Sequence, residues 1–364
     1  MELPRAHERP PRPGEVPGQP SRPESRGPVA GPVAGPVDRQ RRPENPATSR
    51  TDLRDRFNNL APGHPSSPWD EHGAPRPPVP RLADLERAEP PLTDAAYAVH
   101  RREVAKSLRE AHDAHKAVKD QQTLNPDKDI WTDDRIARQD EVIKDLYASA
   151  EHVPCERKAI IAGGLGGAGK TTVLTEHAGV DLSTYFTINP DRCKEELAQH
   201  KMLPEIQGLS PMEASSLGHE ESSFIARRLA LRAYAEGKNV IWDITMSRPD
   251  SAISRINELR SAGYEHIEGI FVDIPVETSV ARSEARHRRG HDQYLAGEGL
   301  GGRYVPAELI RSQADSEYGS INRRAFESAK PLLDEWVIFD NSVDDRPATV
   351  VERSIDDPRT FRSE

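Results

Sequence analysis

Cysteine is scarce. The chain of 364 residues carries two, Cys155 and Cys193, and neither sits in a C-x-x-C pair or a disulfide-like pattern. That excludes a disulfide framework and makes a reduced interior the simplest expectation. Apolar residues are sparse too, at 35% with a mean hydropathy of -0.75. Such values are low for one compact globule, so part of the chain is expected to be disordered. No apolar run is long enough to cross a bilayer, so no membrane association is expected. The opening residues M-E-L-P-R-A-H-E-R-P lack the apolar stretch of an ordinary signal peptide. Basic residues are outnumbered, 50 Lys and Arg against 60 Asp and Glu, for a formal net charge of -10. This disfavours wholesale binding of nucleic acid.

Proline, by contrast, is abundant, with 32 residues. Residues 1 to about 50 are rich in Pro, Arg and Gly, and G-P-V-A repeats from Gly27 to Val37. A period of four buries no face and proline removes backbone donors, which predicts extended chain. Residues 51 to 92 remain proline-rich but carry Phe57, Leu60, Trp69 and Leu82. Residues 1–92 therefore read as a disordered tail and linker, 93–131 as a helical extension, 132–345 as a folded domain, and 346–364 as a polar tail.

From Thr93 the composition changes. Asp94 to Asp120 lacks Pro and Gly and predicts a helix, with His100, His112 and His115 on a solvated face. A second helix is expected from about Thr132 to Ala150, capped by Thr132 or Asp133. Short apolar runs at Ala159–Ala162, Tyr185–Ile188, Val240–Asp243, within His266–Ile274 and at Trp336–Phe339 predict strands. Between and after them, helices are expected at Asp191–His200, His219–Glu236, Asp250–Ala262 (capped by Asp250), Pro275–Arg289, Pro306–Ser312 and Ser316–Lys330. The alternation specifies an α/β fold with a parallel sheet flanked by helices.

Gly164 to Thr171 matches G-x-x-x-x-G-K-[ST], the phosphate-binding P-loop, directly after a strand-like run. Gly164, Gly166, Gly167, Ala168 and Gly169 allow a tight turn with inward-facing N–H groups. Lys170 can reach the β- and γ-phosphates, the Thr171 hydroxyl can join Mg²⁺, and Thr172 lies in the helix whose N-terminus favours an anion. Asp243 ends a strand where P-loop proteins keep an acidic residue for Mg²⁺. Thr245 follows on the same strand end as a candidate acceptor contact. Asp191, just past the second strand, can accept a proton from an acceptor hydroxyl or simply cap a helix. Arg282, Arg286, Arg288 and Arg289 cluster on one helix, and Arg303 follows the glycine-rich stretch Gly290–Tyr304. Guanidinium groups on a mobile lid would stabilise transferring phosphate. His219-Glu220-Glu221-Ser222-Ser223 could serve a helix start or face a substrate. No N-K-x-D guanine-recognition element is present.

The stretch from Thr132 to Asn341, a little more than half the chain, resembles the zeta-toxin family of P-loop kinases. The shared features are G-G-L-G-G-A-G-K-T-T, N-P-D-R-C-K-E-E-L, H-E-E-S-S, N-V-I-W-D-I-T, R-x-x-x-R-H-R-R-G-H, G-R-Y-V-P and a terminal F-D-N-S. The resemblance implies ATP as phosphoryl donor, Lys170 on phosphate, Asp191 as general base and Glu221 holding the acceptor. It also implies a clamp of Arg303 with Arg289 or Arg286. The implied acceptor is a nucleotide sugar such as UDP-N-acetylglucosamine, the implied partner an antitoxin, and the implied site of action the cytoplasm. Related kinases act on other hydroxyls, including those of nicotinamide dinucleotides. A nucleotide-dependent ATPase or switch is the alternative of a different class. Pro62 to Pro68 resembles linkers before toxin domains of actinobacterial polymorphic toxins, which makes the N-terminal region a candidate export device.

Overall fold

The computed structural model describes residues 91–354. The readings placed on residues 1–90 and 355–364 lie outside the described residues.

Helix α1 (Asp94–Asp113) starts at Thr93, whose hydroxyl accepts the Ala96 N–H. A short α2 (Val118–Gln122) leads into a small antiparallel hairpin of β1 (Thr123–Asn125) and β2 (Ile130–Trp131). Thr132 then caps α3 (Asp133–Ala148). The main sheet begins at β3 (Lys158–Gly163), followed by the P-loop and α4 (Lys170–Thr172), which runs on as a π-helical turn to His177. Next come β4 (Phe186–Ile188), α5 (Pro190–Gln199), α6 (His219–Glu236), β5 (Val240–Asp243), α7 (Pro249–Ser261) and β6 (His266–Asp273). The chain continues with α8 (Val276–Leu295), α9 (Ala307–Arg311), β7 (Ala314–Asp315), β8 (Gly319–Ser320), α10 (Ile321–Ala329), β9 (Glu335–Asp340) and β10 (Thr349–Arg353).

Six strands form the sheet in the order β10-β9-β6-β3-β5-β4. All neighbours pair parallel except the edge strand β10, which runs antiparallel to β9. Alternation along β3 sends Ala159 and Ile161 to one face and Ile160 and Ala162 to the other. The first face packs with Trp242, Phe271, Phe326 and the inner sides of α3, α6 and α7. The second packs with Ile241, Ile270, Val272, Val337 and Phe339, plus Leu165 within the P-loop and Val173 and Leu174 beyond it. Burial of both faces is why these strands read as unbroken apolar runs.

Several local expectations are corrected. His100 is not on a solvated face; it is 4% exposed. Helix α1 ends at Asp113, because a turn at residues 114–116 separates it from α2. Arg248, not Asp250, occupies the cap position of α7, with no side-chain capping bond, and Asp250 lies in the first turn. Helix α8 passes through Gly290 to Leu295. Helix α10 starts only at Ile321, because the Asp315 carboxylate takes the Glu317 and Tyr318 N–H groups, each at 2.9 Å, and closes the β7–β8 turn. Residues 349–353, read as part of a polar tail, form the sheet edge. His112 and His115 are exposed. No helix among the described residues is long and apolar enough to cross a membrane.

Trp242 is 1% exposed, and its indole N–H donates to the Tyr234 hydroxyl at 2.5 Å. Trp242→Ala should lower unfolding free energy by about 3–5 kcal/mol. Urea denaturation followed by circular dichroism checks this; a loss below 1 kcal/mol would mean that the site collapses around the void.

Candidate active site

The site lies at the C-terminal edge of the sheet. There β3 runs between β5 and β6, and the chain changes direction across the sheet, the usual place for ligands in open α/β folds. The P-loop emerges from β3 with φ of 141° at Gly164, 75° at Gly167 and 79° at Gly169. At Gly164 a Cβ would collide with the carbonyl of Val272, so only glycine permits the turn. Three consecutive loop carbonyls are held by side chains from other elements. Gly166 O accepts the Ser279 hydroxyl at 2.6 Å, Gly167 O accepts Arg282 at 3.3 Å, and Ala168 O accepts the Asn341 amide at 2.8 Å. This polarity leaves amides to line the inside of the cradle.

Lys170 Nζ lies 3.2 Å from Gly164 O and 3.4 Å from Asp243 Oδ1. Asp243 Oδ2 accepts the Asn189 side-chain N–H at 2.7 Å, and Asn189 Oδ1 accepts the Asp191 backbone N–H at 2.7 Å. Asn189 is thus the cap of α5 and the link from Asp191 back to Asp243 and Lys170. The Asp191 carboxylate pairs with Arg303 and, at 3.3 Å, with Lys194. Burial pushes its pKa up, but the Arg303 and Lys194 charges outweigh burial and bring it down to about 2. Burial, then the Arg303 charge, push the Arg286 guanidinium down, while Asp191 and Glu195 act in the opposite sense.

Arg303 is carried on a firmer support than a free lid. Gly302 presses against the carbonyl of His287, and a Cβ at Gly290 would lie 2.6 Å from Gly302 Cα. Tyr304 meets the His287 ring edge-on, with centroids 5.5 Å apart.

The sequence candidates divide accordingly. Gly164, Gly166, Gly167, Ala168, Gly169 and Lys170 form the cradle, with Thr171 and Thr172 opening α4 at its floor. Asp243, Asp191, Arg303 and Lys170 are joined through Asn189. Thr245 is exposed two residues past Asp243. Of the helix arginines, Arg286 shares its field with Asp191 and Arg303. Arg282 braces the loop and pairs with Asp344 at 2.6 Å. Arg288 pairs with Asp94 at 2.6 Å and lies over the Tyr97 ring. Arg289 is exposed and enters no ion pair among the described residues.

Glu221 is placed elsewhere. It is fully buried and accepts both Arg135 Nε and Arg135 NH2 at 2.6 Å, and Gln139 at 2.8 Å. The polar groups of this helix start that reach the Asp191 side are His219 and Glu220. Loss of solvent, then the Lys194 ammonium, push the His219 pKa down, while Glu220 and Asp191 oppose that shift. Helical phase could have separated them: Glu221, Ser222 and Ile225 share the buried face. Asn189, Ser279 and Asn341 were not assigned roles from sequence. The signal for Asn189 was an Asn before Pro at a strand–helix junction.

The P-loop, the parallel sheet and the acidic strand end define a nucleotide-binding fold of the P-loop kinase type. Residues 144–344 match the profile of the family described as Zeta toxin, and the chain belongs to the zeta-toxin family. No curated protein sequence matches it. Among solved structures, it is similar to AvrRxo1-ORF1 in complex with AvrRxo1-ORF2 and ATP. The TM-score is 0.48 and the identity 19%, covering 62% of this chain and 68% of that one. It is also similar to the PezAT chromosomal toxin–antitoxin system of Streptococcus pneumoniae, with a TM-score of 0.44 and 17% identity, covering 62% and 83%.

Two measurements test this geometry. Glu221→Ala leaves Arg135 buried without its counter-charge and should cost about 3–5 kcal/mol of stability. Chemical denaturation checks it; unchanged stability with a raised acceptor KM would instead place Glu221 on the acceptor. Because the Asp191 pKa is depressed, its pairing stabilises the fold fully above the unfolded value of about 3.9, and that stabilisation is lost as pH falls through about 2. Arg303→Met should move the Asp191 titration upward, as read by carboxyl carbon-13 NMR. An unmoved titration would show that the pair does not form in solution.

Proposed function

We propose that the chain is an ATP-dependent kinase of small molecules. It transfers the γ-phosphoryl group of ATP to a hydroxyl of a nucleotide sugar such as UDP-N-acetylglucosamine, and it acts as a toxin restrained by an antitoxin. The observation that carries this reading is the continuous link from Lys170 through Asp243 and Asn189 to Asp191. It sets a phosphate-binding ammonium and an ionised carboxylate on one sheet edge, as transfer to a hydroxyl requires.

The residues fit a triphosphate. The turn leaves no room for a Cβ at Gly164 or Gly169, and Arg303 Nε is buried with no hydrogen-bond partner among the described residues. They also fit Mg²⁺, since Thr171 and Asp243 offer the hydroxyl and carboxylate oxygens that a hard cation takes. When bound, the ion neutralises charge on the β- and γ-oxygens. The protein's own part is positional. The cradle amides and Lys170 fix the triphosphate tail. Asp191 orients the acceptor hydroxyl and takes its proton late, as the transition state for phosphoryl transfer is loose. Arg303 passes from Asp191 to the transferring group, which relieves the depression of the Asp191 pKa when a base is needed. Arg286, beside them, adds to the clamp, with Arg289 on the next turn of the same helix. His219, Glu220 and Thr245 line the acceptor side.

Incubation with ATP, Mg²⁺ and UDP-N-acetylglucosamine, followed by mass spectrometry, should yield a nucleotide sugar heavier by one phosphoryl group. Asp191→Asn should reduce that rate about 10²- to 10⁴-fold with ATP binding retained, whereas Lys170→Ala should lose ATP binding. Product on a nicotinamide dinucleotide alone would move the acceptor. Hydrolysis with no labelled acceptor in any extract would replace the kinase reading by an ATPase or switch.

A further inference from the structure

Behind the arginine helix lies a polar cluster that phosphoryl transfer does not use. His100 comes from α1, Glu213 from the 3-10 turn before α6, and His287 and His291 from successive turns of α8. Their exposures are 4%, 0%, 2% and 7%. Three ring nitrogens converge on one oxygen. His100 Nε2 is 2.5 Å, His287 Nε2 2.9 Å and His291 Nδ1 3.2 Å from Glu213 Oε1.

Hydrogen bonds alone account poorly for this convergence. A carboxylate oxygen offers two lone-pair directions, and three ring nitrogens are aimed at one such oxygen. The third is left over: His291 Nδ1 is buried and makes no hydrogen bond among the described residues. The other carboxylate oxygen is already taken by the Ser210 N–H at 2.8 Å and the Ser210 hydroxyl at 2.9 Å.

We propose that His100 Nε2, His287 Nε2, Glu213 Oε1 and His291 Nδ1 form a closed structural site for a divalent transition-metal ion of the Zn²⁺ class. Imidazole nitrogens with one carboxylate oxygen are the donor set such ions take, and a nitrogen-rich set is the wrong one for Mg²⁺ or Ca²⁺. In a tetrahedron with bonds of about 2.0–2.1 Å, ligand atoms stand about 3.3 Å apart. The ligand atoms of His100, Glu213 and His287 already lie within 4.8 Å of one another. His291 stacks on His100 with ring centroids 3.7 Å apart, so it completes the site by swinging Nδ1 off that ring. The outer partners are in place. The Tyr97 hydroxyl lies 2.7 Å from His287 Nδ1, and Ser210 anchors the free oxygen of Glu213.

With four protein ligands the site keeps no open position, which marks it as structural rather than catalytic. It joins α1 to α8, and its His287 is the residue on which Gly302 and Tyr304 rest. The metal would thus brace the Arg303 support from behind. This inference holds whether or not the chain is a kinase.

The test uses the full chain, with any affinity tag removed, stripped of metal and titrated with Co²⁺. One equivalent should give the intense visible bands of tetrahedral Co²⁺, Zn²⁺ should bleach them, and the melting temperature should rise by several degrees. His100→Ala and His291→Ala, each confirmed as folded by circular dichroism, should lose the bands. His200→Ala should keep them, because it alters only the more exposed Asp145–Glu196–His200 group. Absence of tetrahedral Co²⁺ in the unaltered chain would overturn the proposal and leave a proton-shared network. Bands that survive in folded His100→Ala would overturn it as well.

Discussion

One carboxamide holds the two ends of the candidate site together. Asn189 donates to the Asp243 carboxylate from its nitrogen and accepts the Asp191 N–H with its oxygen. Only a group with a donor and an acceptor on one rigid plane can do both. An aspartate here would set two carboxylates against each other, and an alanine would release both Asp243 and the start of α5. Because Asp243 in turn faces Lys170, the position of the Lys170 ammonium depends on this contact at one remove.

Much of the fold was legible because the sheet is buried on both faces. Runs such as Ala159–Ala162 and Val240–Trp242 have no solvent side and so leave an unbroken apolar signature. The cradle was legible for a different reason: its backbone geometry demands glycine at fixed spacing. Strand β10 was not, since Val350 and Val351 are exposed and its neighbours are polar, as expected of an edge. His100 was misplaced because polar residues surround it on its own helix. What buries it is Glu213, more than a hundred positions away. Contacts of that range leave no local pattern to read.

Within the site, charge type was readable and direction was not. The H-E-E-S-S segment offers two adjacent carboxylates that local sequence cannot rank. Structure sends one inward to Arg135 and leaves the other beside Lys194. The helix arginines separate in the same way, with Arg282 turned to the loop carbonyl and Arg288 to the N-terminal helix. The Gly290–Tyr304 stretch, rich in glycine, suggested mobility. At Gly290 and Gly302, however, the missing side chains permit backbone to rest on backbone, and that close packing supports the backbone that carries Arg303, whose side chain pairs with Asp191.

The bond from Asn341 to the Ala168 carbonyl spans 173 positions of sequence. A ribosome that has made the glycine loop has therefore not yet made the amide that steadies it. Until β9 has emerged and slotted beside β6, the loop lacks one of its three anchors. A half-synthesised chain has none of the three, since Ser279 and Arg282 also lie in its second half, and the last contact closes only when translation is nearly done.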